Sequence, residues 1–256
     1  MRGLKIGKSS LSNLSGISRE NIEFILDGGF SEMCLIKLAP ILRLDVQKLL
    51  ISAKKEWMPK KREPSNLKKF ESIFGSMTVN SYIVFEKTER IAWIFDTGTN
   101  CDSLVSFIKE EELKVESIFL THAHRDHIFC LGELRALFEQ SDIYVHPAEL
   151  LKNTKDFNEG DERSLGSLSL EAFHTYGHSL GGLTFLIKGL ETPLAIVGDA
   201  LFAGSMGGGM ISYKDALRTN REKIMTLPNE TVLCPGHGPM TTVGEENKFN
   251  PFFPEF

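Results

Sequence analysis

Long hydrophobic runs are absent from this chain. No stretch of its 256 residues is long and apolar enough to span a bilayer, and residues 1–8 lack the apolar core of a signal peptide. Cysteine is scarce, and the four cysteines show no paired spacing, which suits a reducing compartment better than a disulfide framework. These absences predict a cytoplasmic protein with no membrane segment.

The charge is distributed unevenly along the chain. Residues 1–70 carry 14 Lys and Arg against 7 Asp and Glu, whereas residues 71–256 carry 15 against 27. Short basic runs interrupted by Pro59 and Pro64 indicate a solvated linker, and a nucleic-acid patch is the alternative. We therefore expect a helical domain at 1–53, a basic linker at 54–69 and a larger domain at 70–256.

Apolar residues recur at helical spacing in the first fifty residues, and Ser18 is a good N-cap for a helix that begins at Arg19. The segment resembles a lambda-repressor-like helix-turn-helix, with 10–14 as its second helix and 19–26 as its recognition helix. Glu20 and Glu23 on that helix would repel a phosphate-lined groove. We expect a structural or dimerising role and no sequence-specific DNA binding.

The segment 121–127 places three imidazoles and a carboxylate within seven residues. His122 and His124, two apart on a loop, can point the same way into a cavity, while Asp126 and His127 turn in another direction. An apolar run just before them predicts a buried strand, and open α/β sheets place their sites at the carboxyl ends of strands. The pattern suits two metal ions better than one.

Three further candidate ligands follow, each beside a glycine that lets the backbone come close: His178, Asp199 and His237. In order, the HxHxDH segment, a His, an Asp and a His resemble the metallo-β-lactamase superfamily over roughly residues 70–256. In having a carboxylate at Asp199, the sequence resembles the dinuclear hydrolases of this superfamily, and glyoxalase II is the nearest resemblance. Four stretches look like short bacterial glyoxalase-II-type proteins, which lack the C-terminal domain that grips glutathione: 198–205, 235–239, 241–246 and 250–252.

The resemblance implies two divalent metal ions and a shared ligand. One metal takes His122, His124 and His178, the other takes Asp126, His127 and His237, and Asp199 bridges both. The donor types suit zinc, and iron or manganese also fit because two carboxylates harden the set. The resemblance further implies that Asp96 orients an imidazole from behind and that Asp126 shuttles a proton in catalysis.

The function implied is hydrolysis of a small-molecule thioester or ester by a hydroxide held between the metals, which also stabilise the oxyanion. Glutathione is not assured as the thiol carrier, and the sequence does not fix the oligomeric state. Gly207–Gly209 stands where many relatives carry an arginine, which weakens the case for an anionic acyl group. Two alternatives stay open: a mononuclear iron persulfide dioxygenase, and a regulator whose DNA-binding segment responds to the metal domain.

Apolar patterning predicts a mixed α/β chain. Helices are expected at 101–113, 126–138 and 213–227, and strands at 72–77, 81–85, 91–95, 143–146, 167–175, 183–188, 193–197 and 231–234. By resemblance, these elements would form a four-layer αββα sandwich, preceded by the small all-α helix-turn-helix-like domain.

Overall fold

The computed structural model describes residues 1–149 and 151–255. Its α-helices are α1 (Lys8–Ser15), α2 (Arg19–Leu26), α3 (Glu32–Ile41), α4 (Val46–Ala53), α5 (Asp102–Glu110), α6 (Arg125–Ile128), α7 (Leu131–Leu137), α8 (Tyr213–Thr219) and α9 (Val243–Phe249). Its strands are β1 (Leu67–Phe74), β2 (Met77–Glu86), β3 (Ile91–Phe95), β4 (Lys114–Phe119), β5 (Asp142–Val145), β6 (Lys155–Asp156), β7 (Glu162–Leu165), β8 (Leu168–His174), β9 (Leu183–Lys188), β10 (Leu194–Gly198), β11 (Leu201–Phe202), β12 (Ser205–Met206), β13 (Val232–Pro235) and β14 (Thr241–Thr242). A 3₁₀ turn at Pro147–Glu149 and a π-helical turn at Asn220–Ile224 complete the regular structure of this part.

The strands form two six-stranded sheets. One has the order β1-β2-β3-β4-β5-β6, and the other has the order β14-β13-β10-β9-β8-β7. Strands β3 to β6 pair in parallel, as do β10 and β13. The loops that leave the carboxyl ends of β4, β10 and β13 therefore meet along one edge of the two sheets.

Three apolar clusters define four layers. The cluster between the sheets contains the stacked rings of Phe95 and Phe119 and the facing ring of Phe185. A second cluster joins the first sheet to α5 and α7, and a third joins the other sheet to α8, α9 and the π turn. Two helix-covered sheets packed face to face confirm the predicted αββα sandwich preceded by helices.

Helices α1 to α3 share a small apolar core, centred on Leu11, Ile22 and Leu38. The predicted turn is present between α1 and α2, where Ser18 caps the second helix by accepting from the Asn21 N–H at 3.3 Å. Glu23 on α2 lies 3.0 Å from the Lys8 ammonium, which neutralises one of the two predicted repulsive carboxylates. The expected absence of sequence-specific DNA binding by this segment stays a prediction.

The N-terminal helices pack against the C-terminal end of the sandwich. The Lys48 ammonium on α4 donates to the Phe253 and Asn247 carbonyl oxygens at 2.7 and 2.8 Å. The ring of Trp57 stacks on that of Phe249 on α9, with 4.7 Å between centroids. The segment that follows α4 is thus held against α9 before the chain enters the first sheet.

Strand β1 begins at Leu67, inside the segment expected to be a linker, because Leu67 is buried between the sheets. Its lysines occupy an edge strand, where charged side chains are common and mask a strand pattern. The strand expected at 72–77 was wrong, since a turn with Gly75 at φ 61° separates β1 from β2.

Two predicted helices are interrupted in the structure. The helix expected over 126–138 is split into α6 and α7 at Cys130, whose N–H donates to the Thr97 hydroxyl at 3.1 Å. The helix expected over 213–227 ends at Thr219 and continues as the π turn. Among the described helices, none has the length and hydropathy needed to cross a membrane.

Candidate metal centre

Four side chains form a first group of candidate ligands. His122 and His124 lie on the loop after β4, His178 follows β8, and Asp199 follows β10. Nδ1 of His124 lies 2.9 Å from Nε2 of His122 and 3.1 Å from Nε2 of His178. The nitrogen atoms of a tetrahedral zinc site lie about 3.3 Å apart, given Zn–N bonds of about 2.0–2.1 Å. The group therefore fits one divalent cation.

A second group consists of Asp126, His127 and His237. Asp126 and His127 lie in α6 directly after the first two ligands, and His237 follows β13. Oδ2 of Asp126 lies 3.4 Å from Nε2 of His237 and 3.8 Å from Nε2 of His127. The atoms of this group all lie within 4.8 Å of one another, so they too can surround one cation.

Asp199 lies between the two groups. Its Oδ2 is 3.4 Å from Nε2 of His178 in the first group and 3.4 Å from Nε2 of His237 in the second. Its Oδ1 is 3.3 Å from Nε2 of His127, yet both of these buried atoms lack a hydrogen-bond partner in the described structure. Buried polar atoms are normally satisfied, so a cation held by these atoms fits the site.

The ring nitrogens that point away from the site are engaged by fixed acceptors. Nδ1 of His127 lies 2.8 Å from Asp96, Nδ1 of His178 lies 2.9 Å from the Gly208 carbonyl, and Nδ1 of His237 lies 2.5 Å from the Thr78 carbonyl. A proton on each Nδ1 satisfies these contacts and leaves the Nε2 lone pair facing the centre. Metal-binding histidines usually have this arrangement.

Asp96 supports two histidines at once. Besides contacting His127, its carboxylate accepts from the Thr121 N–H at 2.7 Å and from the Thr121 hydroxyl at 2.8 Å. The Thr121 oxygen lies 3.0 Å from Nδ1 of His122, so it can accept that proton in turn. Asp96 has φ 55°, a strained conformation for a residue other than glycine, and such strain is typical of functional sites.

Glu149 is a positioning residue that the sequence did not indicate. Its Oε2 accepts from the Ala123 N–H at 3.1 Å, and its Oε1 accepts from the Gly181 N–H at 2.6 Å. Ala123 lies between His122 and His124, and Gly181 lies in the loop that carries His178. A single carboxylate thus ties together the two loops that supply the histidines of the first group.

The loop that carries His237 is fixed by buried polar groups on β2. The Asn80 amide donates to the Pro235 and Gly238 carbonyl oxygens at 2.8 and 2.9 Å, and the Tyr82 hydroxyl donates to Pro235 at 2.7 Å. Gly236 is required at the centre of this loop, because a Cβ there would lie 2.2 Å from Oδ1 of Asp199.

Burial and neighbouring charges set the protonation of the site without metal. Burial lowers the pKa of His122 and of His178, whereas the pKa of Asp199 falls because His127 and His237 outweigh the effect of its own burial. Burial also opposes charge on His127, but Asp96 and Asp199 prevail and raise its pKa to about 10. A cation at Nε2 of His127 would replace that proton, so metal binding should release protons.

The remaining histidines lie outside the centre. The rings of His146 and His174 stack on each other with centroids 4.2 Å apart, and Nε2 of His174 lies 3.0 Å from the Leu180 carbonyl. Cys101 and Cys130 form a separate buried pair whose burial raises the pKa of both thiols. The structure therefore brings together all seven sequence-predicted ligands and leaves out the other histidines.

Comparison with known proteins agrees with this architecture. The family described as the Metallo-beta-lactamase superfamily matches residues 75–237. The probable metallo-hydrolase YqgX of Bacillus subtilis is 33% identical over 208 residues, which cover 71% of this chain and 95% of the relative. The hydroxyacylglutathione hydrolase GloC of Haemophilus influenzae is 28% identical over 188 residues, 64% of this chain and 88% of the relative.

A solved structure with two metal ions is also similar. The di-iron-bound form of TTHA1623 is 27% identical and aligns with a TM-score of 0.60, covering 72% of this chain and 99% of the other. The matched family model extends from the β1–β2 turn to His237 and so contains all seven candidate ligands. The chain belongs to the metallo-β-lactamase superfamily.

Proposed function

We propose that this member of the metallo-hydrolase superfamily is a dinuclear enzyme that hydrolyses thioesters, with esters as weaker substrates. The observation that carries the proposal is the position of Asp199, whose Oδ2 lies 3.4 Å from one histidine of each ligand group. A carboxylate in this position would be shared by two cations, and two cations are what a hydrolase of the glyoxalase II type uses.

The side chains divide the work of binding and proton transfer. One cation would be held by His122, His124 and His178, a second would be held by Asp126, His127 and His237, and Asp199 would be shared by both. When bound, divalent cations polarise a carbonyl and lower the pKa of a water molecule. Asp126, with Oδ2 3.4 Å from His237, carries the proton to the product.

A thioester is favoured because its thiolate leaves with little help from a general acid. The described centre offers histidines and carboxylates as ligands, and its chemistry requires no serine or cysteine nucleophile. The similarity to the hydroxyacylglutathione hydrolase GloC supports a thioester, and the di-iron form of TTHA1623 supports two metals. Zinc suits this donor set best, while iron and manganese also fit it.

Turnover of a substrate panel under air tests the proposal. Thioesters, lactones and glutathione persulfide are offered to the metal-loaded protein while thiol release and oxygen consumption are recorded together. Thiol release from thioesters without oxygen uptake is the expected result. Oxygen uptake with the persulfide, together with one iron per chain, would replace the proposal by a persulfide dioxygenase, and inactivity on the whole panel would favour the regulator.

A further inference from the structure

A basic cleft lies beside the loop that carries His237. It has a volume of about 450 Å³, and its wall consists of residues 59–64, 67–69 and 239–240. Glu63 is the one acidic residue of this wall. The other charged residues are five cations: Lys60, Lys61, Arg62, Lys68 and Lys69. Leu67, Pro239 and Met240 add apolar surface. A cleft of this size and character fits part of a small anionic molecule rather than a nucleic-acid duplex.

Acidic neighbours compensate only part of this charge. Lys61 pairs with Glu63 at 2.6 Å, Lys69 with Glu71 at 2.6 Å, and Arg62 with Glu245 at 2.9 Å. In the described part of the chain, no ion pair involves Lys60 or Lys68. The Lys60 ammonium therefore remains available to an anion, and the Lys68 ammonium, which lies 5.8 Å from the centre of the Phe107 ring, is neutralised by no carboxylate in this part of the chain.

The adjoining cleft has the opposite character. Its volume is about 520 Å³, and it shares Arg62, Glu63 and Pro64 with the basic cleft. Glu191 and Glu230 also line it. Its single cation is outnumbered by three carboxylates, so an anion would be repelled from it. Of these two clefts, the charge favours a phosphate in the basic cleft, which Lys60 and Lys68 line.

The basic cleft lies within reach of the candidate metal centre. Pro239 and Met240, which line it, follow His237 in the same loop. Lys69 on β1 pairs with Tyr82 on β2, and Thr78, whose carbonyl contacts His237, lies four residues earlier on β2. Four residues of a strand span about 13 Å. A flexible arm of that reach would connect a thioester at the metals with an anion in the cleft.

We infer that the basic cleft binds the phosphates of the thiol carrier, so that the substrate is the acyl thioester of a phosphorylated thiol. The inference rests on the proposed thioesterase function and specifies its substrate class. In the reaction, water adds to the acyl carbonyl carbon and the C–S bond breaks. The acyl group becomes a carboxylate, one proton of the water passes to the departing thiolate and the other is released to solvent. The free thiol is held by its phosphates until it dissociates from the cleft.

A matched series of substrates tests the inference. One acyl group that is turned over in the substrate panel is joined to coenzyme A, to 4′-phosphopantetheine and to pantetheine, which differ in the number of phosphates. We expect kcat/KM to fall by roughly tenfold or more from coenzyme A to pantetheine, the loss of at least one charge-assisted contact. The result for 4′-phosphopantetheine shows whether the phosphate attached to pantetheine is sufficient or whether the further phosphates of the nucleotide are also bound. The preference should also decrease as salt rises.

Substitution connects this preference to the cleft. The Lys60→Gln, Lys68→Gln double variant should reduce the ratio of kcat/KM for coenzyme A thioester over pantetheine thioester toward one. Lys155→Gln is the control, because Lys155 lies on β6, at the opposite edge of the same sheet, and pairs there with Asp142. An unchanged ratio in the double variant would overturn the inference.

The inference and the function on which it rests can fail separately. Equal turnover on all three carriers would remove the phosphate site and leave the thioesterase intact. Absence of turnover on every thioester would remove the function, while calorimetry with coenzyme A alone still measures the cleft. Binding by the wild type that is weakened in the double variant supports the cleft, and no binding by the wild type contradicts it.

Discussion

Oδ2 of Asp96 lies 2.8 Å from Nδ1 of His127, and both side chains are almost fully buried. The same carboxylate holds Thr121 through two further hydrogen bonds, and Thr121 contacts His122. One residue behind the centre therefore orients a histidine of each ligand group. This relationship makes Asp96 a positioning residue whose effect should be measurable on both metals.

Asp96→Asn should weaken metal binding by roughly 10–100-fold, the usual effect of losing such a support. The new amide would present a donor to the Nδ1 proton of His127 and favour the wrong tautomer. Chelator competition measures the affinity, with Asp142→Asn at a surface ion pair as the control. Wild-type affinity in Asp96→Asn would show that the carboxylate only completes a turn.

The two ligand groups should lose their metals independently. His237→Ala removes a ligand from the second group and leaves His122, His124 and His178 in place, so about one metal per chain should remain. His178→Ala should have the complementary effect. Elemental analysis gives the ratio, and cobalt spectra distinguish the two positions by their ligands. Complete loss of both ions in either variant would contradict the division into two groups.

Glu149 offers a test of loop positioning. Glu149→Gln removes one of its two acceptor oxygens and should release the loop of His178 from that of His122 and His124. We expect weaker binding at the first metal position and a lower kcat, with the second position retained. Glu171→Gln on β8, which removes a surface pair with Lys188, provides a matched control. Loss of both metals would indicate a general folding defect instead.

The seven candidate ligands were recognisable in the sequence because four of them lie within residues 122–127 and each of the other three follows a glycine. Glu149 could not be found in this way, since its role arises from two backbone N–H groups that come together only in the folded chain. The start of β1 was missed because Lys68 and Lys69 on an edge strand resemble a solvated linker. The break at Cys130 likewise depends on a tertiary hydrogen bond to Thr97.

The buried carboxyl of Glu246 should make stability depend on pH. Burial raises its pKa to about 7 from the ordinary value of 4.5, although Thr241, Asn250 and the Gly204 N–H donate to it. The folded state therefore holds a proton that the unfolded chain releases, so this contribution is present below pH 4.5 and is lost as pH rises through 7. Its size is on the order of 3 kcal/mol.

Urea unfolding at several pH values measures this effect. Between pH 5 and pH 8, the free energy of unfolding of the wild type should fall more steeply than that of Glu246→Gln, whose amide does not titrate. A uniform loss of stability in the variant does not affect this comparison of slopes. Identical slopes would mean that Glu246 is ionised in the folded protein throughout this range.

The central claim is that Asp199 bridges two metal ions, and the metal content of Asp199→Ala tests it most directly. Elemental analysis should give close to two metals per chain for the wild type. In the variant, both ions should be lost or bound much more weakly, and thioester turnover should disappear. Circular dichroism checks that the variant is folded. Two metals retained in Asp199→Ala, or loss of just one, would contradict the account.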